Sequence, residues 1–217
     1  MKKGVSKTPG DASLNLGMNY ANLGVSYKEL GELDTALVYY QKSRDLAQKL
    51  NIPQRLAQNY LNIGNIHKSR GEYDVAEESM RNALRICREN NFTYGKLVTL
   101  VNLGDNFYER GDYRQAKALY DTSLALSHAY DLPVEEYKIY HALFDLENTR
   151  KNYPEAIQNL RRYYALKDSL EDERMEQRVQ ELQIQYETEK TAKENALLKQ
   201  EKEALTKRFK GFSPFLD

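Results

Sequence analysis

"NLGVSYKELGELDTALVYY", residues 22–40, returns as "NIGNIHKSRGEYDVAEESM" at 62–80 and as "NLGDNFYERGDYRQAKALY" at 102–120. Glycines stand at Gly24, Gly64 and Gly104 and again at Gly31, Gly71 and Gly111. Alanines follow at Ala36, Ala76, Ala116 and Ala156, and each series advances by 40 residues. A fixed step of this size is the mark of stacked supersecondary units, none of which can bury its own apolar face alone.

Each unit divides into two helices. Tyr20, Leu23, Gly24 and Tyr27 fall at i, i+3, i+4 and i+7, one helical face. The same face recurs as Tyr60, Ile63, Gly64 and His67, then as Leu100, Leu103, Gly104 and Phe107. A helical Gly costs roughly 1 kcal/mol relative to Ala, so keeping it three times implies a close backbone approach. The Ala36 series is the expected facing contact on the second helix. Gly31, Gly71 and Gly111 sit where a turn wants positive φ. Asp34 and Asp74 fall in the first turn of the next helix, where the dipole favours an anion, and Pro154 holds that place in the fourth unit. Between units, "NIP" at 51–53, "NNFT" at 90–93 and "DLP" at 131–133 end one helix and start another. The expected helices cover 12–30, 34–50, 54–70, 74–90, 94–110, 114–130 and 134–150, with one much longer helix from about 154.

Charge is balanced, 32 Lys plus Arg against 32 Asp plus Glu, which gives no general attraction to nucleic acid or membranes. The lone cysteine, Cys87, cannot form an internal disulfide and is expected to be a small buried hydrophobe. "MKKGVSKTPGD" at the N-terminus has basic residues with no apolar run behind them, and no window approaches a membrane span. A cytoplasmic location is therefore favoured, a periplasmic one being the alternative if a leader or span precedes the chain. No nucleophile elbow, phosphate loop or metal-ligand cluster appears, so no catalytic residue, metal or cofactor is expected. His67 occupies the Tyr27/Phe107 anchor position and is expected in the core, and His128 near a helix end in solvent.

The large–x–x–Leu–Gly–x–x–Tyr pattern, the Gly–x–Tyr turn and the downstream Ala resemble the tetratricopeptide repeat, over about residues 12–165. The resemblance implies an all-α, right-handed superhelical solenoid of antiparallel helix pairs. Its units would be 12–51, 52–91, 92–131 and a degenerate 132–165, after a disordered 1–11. The period is 40 here against the family's usual 34, which lengthens each unit's helices by about 9 Å. In the fourth copy Phe144 replaces the helical Gly and Lys151 the turn Gly, as terminal repeats are often atypical.

By the same resemblance, the first helix of each pair lines a groove that holds a peptide. Asn22, Asn62 and Asn102 precede each Leu/Ile–Gly and would form a ladder whose carboxamides both donate and accept to a peptide backbone. The alternative is that each Asn satisfies a neighbouring backbone group or water. Val25, Asn65 and Asp105, then Lys28, Lys68 and Tyr108, are further inward candidates, and His141 is a candidate contact in the fourth unit. The family's clamp for a C-terminal carboxylate uses Lys and Asn in the first repeat, Asn in the second, and Lys and Arg in the third, at positions that are Ala21, Val25, Asn62, Val98 and Asn102 here. Only Asn62 agrees with it, so that subtype is excluded.

The stretch 166–208 is expected to be a long charged helix, followed by a tail at 209–217 where Gly211 and Pro214 stop it. Met175, Val179, Leu182 and Tyr186 step by four, three and four, the seam of a short coiled coil, and a homodimer through this helix is the expectation. The alternative is that its first turns cap the solenoid. Repeats followed by "QIQYETEKTAKENALLKQEKE" also resemble the input region of bacterial sensor kinases and transcriptional regulators. The sequence thus points to a non-catalytic scaffold for a protein or peptide, the sensory or adaptor part of a bacterial signalling system. The alternative is a homo-oligomerisation module whose groove holds its own tail or a second copy.

Overall fold

Positive φ recurs every twentieth residue: Gly31, Asn51, Gly71, Asn91, Gly111, Asp131 and Lys151 lie between +51° and +89°. Each ends a helix in the same way. The amide one residue further on donates back five residues, as in Glu32 N to Tyr27 O at 2.9 Å, Phe92 N to Cys87 O at 2.9 Å and Asn152 N to Glu147 O at 2.8 Å. The turn within a unit and the turn between units are therefore one device. Gly supplies it inside the first three units. Asn and Asp, whose short polar side chains tolerate the left-handed region, supply it between units.

The computed structural model describes residues 9–167 and 172–212, with side chains for 13–167 and 178–207. The helices are α1 (Pro9–Glu29), α2 (Leu33–Lys49), α3 (Pro53–Ser69), α4 (Tyr73–Glu89), α5 (Thr93–Arg110), α6 (Tyr113–Ala129), α7 (Pro133–Thr149), α8 (Tyr153–Leu166) and α9 (Asp172–Phe212). Each packs on its neighbours in sequence, and α3 also touches α5, and α5 touches α7. The result is an all-α solenoid of antiparallel helix pairs closed by a C-terminal helix.

The helical glycines meet a different partner from the one expected. A Cβ on Gly24 would stand 2.7 Å from the Tyr40 ring, one on Gly64 2.8 Å from Met80 Cγ, and one on Gly104 2.6 Å from the Tyr120 ring. The close contact is thus the large residue four positions beyond each Ala; only Gly64 also nears a backbone, Ala76 O at 3.1 Å. The alanines are fully buried one turn earlier. In the fourth unit the small member is lost: Phe144 stands at the Gly position and packs in one cluster with Leu160.

Ion pairs brace successive units. Arg70 pairs with Asp34, and Arg110 with Asp74 at 2.9 Å. Position 114 is Arg, so Arg150 turns instead to Glu147 of its own helix at 3.3 Å.

The C-terminal region departs from expectation. One continuous helix from 154 is not what the chain forms: α8 ends at Leu166, and Lys167 is extended at φ −93°, ψ 124°. From α9, Val179 and Leu182 are buried in a cluster with Phe144, Tyr153, Ala156 and Leu160 of α7 and α8. Tyr186 sets its ring edge against Tyr153, and Tyr153 Oη donates to Glu189 Oε1 at 2.7 Å. These seam residues face the chain's own solenoid, where an intermolecular seam was expected, because the break after α8 lets α9 fold against it. The Met175 side chain lies outside the described residues. Helix α9 also continues through Gly211 to Phe212. At the other end α1 begins at Pro9, and the expectation for 1–8, like that for 213–217, falls outside the described residues.

Candidate functional site

Gln54, Gln58, Leu61, Asn62 and Asn65 fall on one face of α3, and Gly95, Val98, Thr99 and Asn102 on the facing side of α5. Between them lies a cleft of about 590 Å³, floored by Cys87 and edged by Phe92 and Tyr94. Gly95 keeps the floor open: a Cβ there would stand 2.9 Å from Cys87 Sγ. Burial pushes the Cys87 thiol up, which holds it protonated and unreactive.

Three of the expected carboxamides meet here, in different states. Asn102 Nδ2 donates to Val98 O at 2.8 Å, one turn back on its own helix, so half of that amide is spent locally. The Asn62 side chain lines the cleft and makes no hydrogen bond among the described residues. Asn65 Oδ1 is buried and without a hydrogen-bond partner among the described residues. A buried acceptor left unpaired costs about 1–3 kcal/mol, and with almost no exposed surface Asn65 Oδ1 must turn to meet a donor in the cleft.

A second cleft, of about 420 Å³, lies between α5 and α7 and gathers Lys68, Asp105, Tyr108 and His141. Lys68 Nζ reaches Glu109 at 3.0 Å and Asp105 at 3.9 Å. Tyr120 Oη donates to Asp105 Oδ1 at 2.7 Å, and desolvation holds the Asp105 carboxyl above the usual aspartate range despite Lys68 and Tyr120. The Tyr108 and Thr149 hydroxyls share a 2.8 Å hydrogen bond across the cleft mouth. His141 Nδ1 sits 3.1 Å from Asp145 Oδ2, with its ring edge-on to Phe144 and Tyr163. That hydrogen bond raises the His141 pKa against the opposing effect of burial.

Asn22 and Lys28 line neither cleft. Both are exposed on α1, which does not approach α3 as α3 approaches α5. Leu23, the anchor buried as Ile63 and Leu103 in later units, is 39% exposed. The three-rung ladder is thus two rungs beside Asn65. His67, expected in the core, is half-buried and bonds Glu72 Oε2 at 2.5 Å. His128 is exposed, as expected, and its Nε2 stands 2.8 Å from Glu136 Oε1. Sequence reasoning missed Gln54, Gln58, Phe92 and Tyr94. For the two glutamines the signal was present, since they precede Asn62 by eight and four residues on one helical face.

Helices of 17 or 18 residues from α2 to α7 in stacked pairs, the small–large contact at 24/40, and a cleft between first helices agree with the family model for the tetratricopeptide repeat, which matches residues 14–89 and 55–129. The chain belongs to the tetratricopeptide repeat family. Tetratricopeptide repeats are a non-catalytic protein-interaction scaffold. Among solved structures, BtubC from P. vanneervenii is 17% identical with a TM-score of 0.65, covering 78% of this chain and 69% of that one. The apo form of RapI is 16% identical with a TM-score of 0.66, covering 73% of this chain and 58% of that one. The Rap conjugation gene regulator of plasmid pLS20, in complex with the Phr* peptide, is 18% identical with a TM-score of 0.62, covering 76% of this chain and 47% of that one. These likenesses are of fold. The chain spans about half the length of the two Rap proteins. No curated protein sequence matches it. Among the described residues, no tetratricopeptide or C-terminal helix is long and apolar enough to cross a membrane, and no group of His, Cys, Asp and Glu is arranged to hold a metal.

Proposed function

We propose that this tetratricopeptide chain is a peptide- or protein-binding scaffold, the sensory or adaptor part of a bacterial regulatory system, with the α3/α5 cleft as the peptide seat. The unpaired Asn65 Oδ1 beside Asn62 carries the reading. An extended peptide offers one backbone N–H and one C=O per residue. Asn65 would take the N–H, and Asn62, free on both sides, would donate to the C=O. Leu61, Phe92 and Val98 give an apolar side chain a place in the same cleft. The likeness in fold to a Rap regulator bound to a Phr* peptide supports the class of ligand. The reading assigns the chain no reaction. Lys68, Asp105, Tyr108 and His141 would extend the contact to charged side chains in the α5/α7 cleft. Among the described residues, none of the α3/α5 lining comes from α9.

The test is capture of peptides from a displayed random library by the full chain. Asn62→Ala with Asn65→Ala is expected to weaken the selected peptides at least tenfold while leaving the circular dichroism and melting nearly unchanged. Peptides that bind equally well to this double variant remove the cleft from the account. The same measurement on Asn22→Ala is expected to show no change.

A further inference from the structure

Helix α9 stands where the first helix of a fifth unit belongs. The 20-residue rhythm of helix starts, from Pro133 to Tyr153, puts the next at 173, and α9 begins at Asp172. Val179 continues the buried series Asn59, Thr99 and Ile139. Every other first helix receives a second helix on the face centred on the Gly24 position. On α9 that position is Ile184, 66% exposed, with no second helix against it among the described residues.

The exposed residues on this face keep a coiled-coil period. Ile184, Thr191, Leu198 and Leu205 advance by sevens, with Thr188, Asn195 and Lys202 between them at the alternate steps of four and three. Leu198 and Leu205 are each more than half exposed. We propose that this face of α9 is the interface with the same helix of a second copy of the chain, parallel and in register.

The flanking charges choose both partner and direction. One flank carries Glu187, Glu194 and Glu201; the other carries Ala192, Lys199 and Thr206. In a parallel pair each flank meets the opposite flank of its partner five residues on. Glu194 then faces Lys199, Glu187 faces Ala192 and Glu201 faces Thr206, with no like charges opposed. An antiparallel pair would set the glutamate flank against itself. Asn195, at an inward position, fixes the register, because displacement would bury its amide without a partner.

Sedimentation equilibrium on the full chain is expected to give twice the chain mass. Leu198→Asp with Leu205→Asp is expected to give the monomer mass with the same melting of α1–α8. Leu197→Asp, equally exposed but off the stripe, is expected to keep the dimer. Leu198→Cys under mild oxidation is expected to cross-link the two copies, Cys87 being buried. A monomer at every concentration overturns the proposal, as does a dimer that survives the double aspartate variant. A dimer that Leu198→Cys fails to cross-link overturns its parallel register.

Discussion

At the scale of single residues, space rather than propensity explains the helical glycines. Ala at position 24 would gain roughly 1 kcal/mol of helix propensity, but its Cβ would stand 2.7 Å from the Tyr40 ring. Overpacking of this kind outweighs the gain, so Gly24→Ala is expected to lose about 1–3 kcal/mol in urea denaturation. With Tyr40→Leu, the combination the fourth unit approaches with Leu160, the two losses are expected to be less than additive. Strict additivity would mean the pair is not in contact. The glycine period was plain in the sequence, but its partner was not, because a spacing cannot say which side chain crosses to fill the gap. His141 is also a residue-scale matter. Folded His141 binds its proton more tightly than the unfolded chain does, through Asp145, so the stability it adds is fully present below about pH 6.5 and is lost as pH rises through its folded value. His141→Gln is expected to flatten that part of the stability–pH profile; a profile with the same slope would remove Asp145 as its partner.

At the scale of elements, helix starts and stops were legible to within a few residues because each stop has its own chemistry. Asn51, Asn91 and Asp131 carry the same turn as the glycines, and their 40-residue step was readable. The break after Leu166 was not: 155–208 holds no Pro or Gly, and the chain leaves the helix there because folding back buries Val179 and Leu182 on Phe144 and Leu160. That packing is tertiary and outweighs the propensity of a charged helix. Leu182→Ala is expected to cost about 2–5 kcal/mol, the range for a buried leucine. Hydrogen exchange should then speed up in α8 and α9 while α2–α5 keep their protection. Uniform loss of protection would mean that α9 is not a local cap.

At the scale of the whole molecule, the contacts among the described residues run chiefly between neighbours along the stack, so stability is close to a sum of units and junctions. Removing residues 172–217 is expected to lower the melting midpoint without abolishing cooperative unfolding, and to expose Phe144 and Leu160. Loss of all helical signal would show that the stack depends on α9 throughout. The sequence by itself determined the repeat, the helix pairs, the turn positions and the family, because each of these is written in spacings that local sterics enforce. Only the tertiary structure decided which carboxamides share a cleft, which acceptor is left unpaired, and which side of α9 is spent on the chain's own core. Those depend on how closely α1, α3, α5 and α7 approach one another and on where the chain turns back, and both are settled by volumes packed between elements that no single stretch contains.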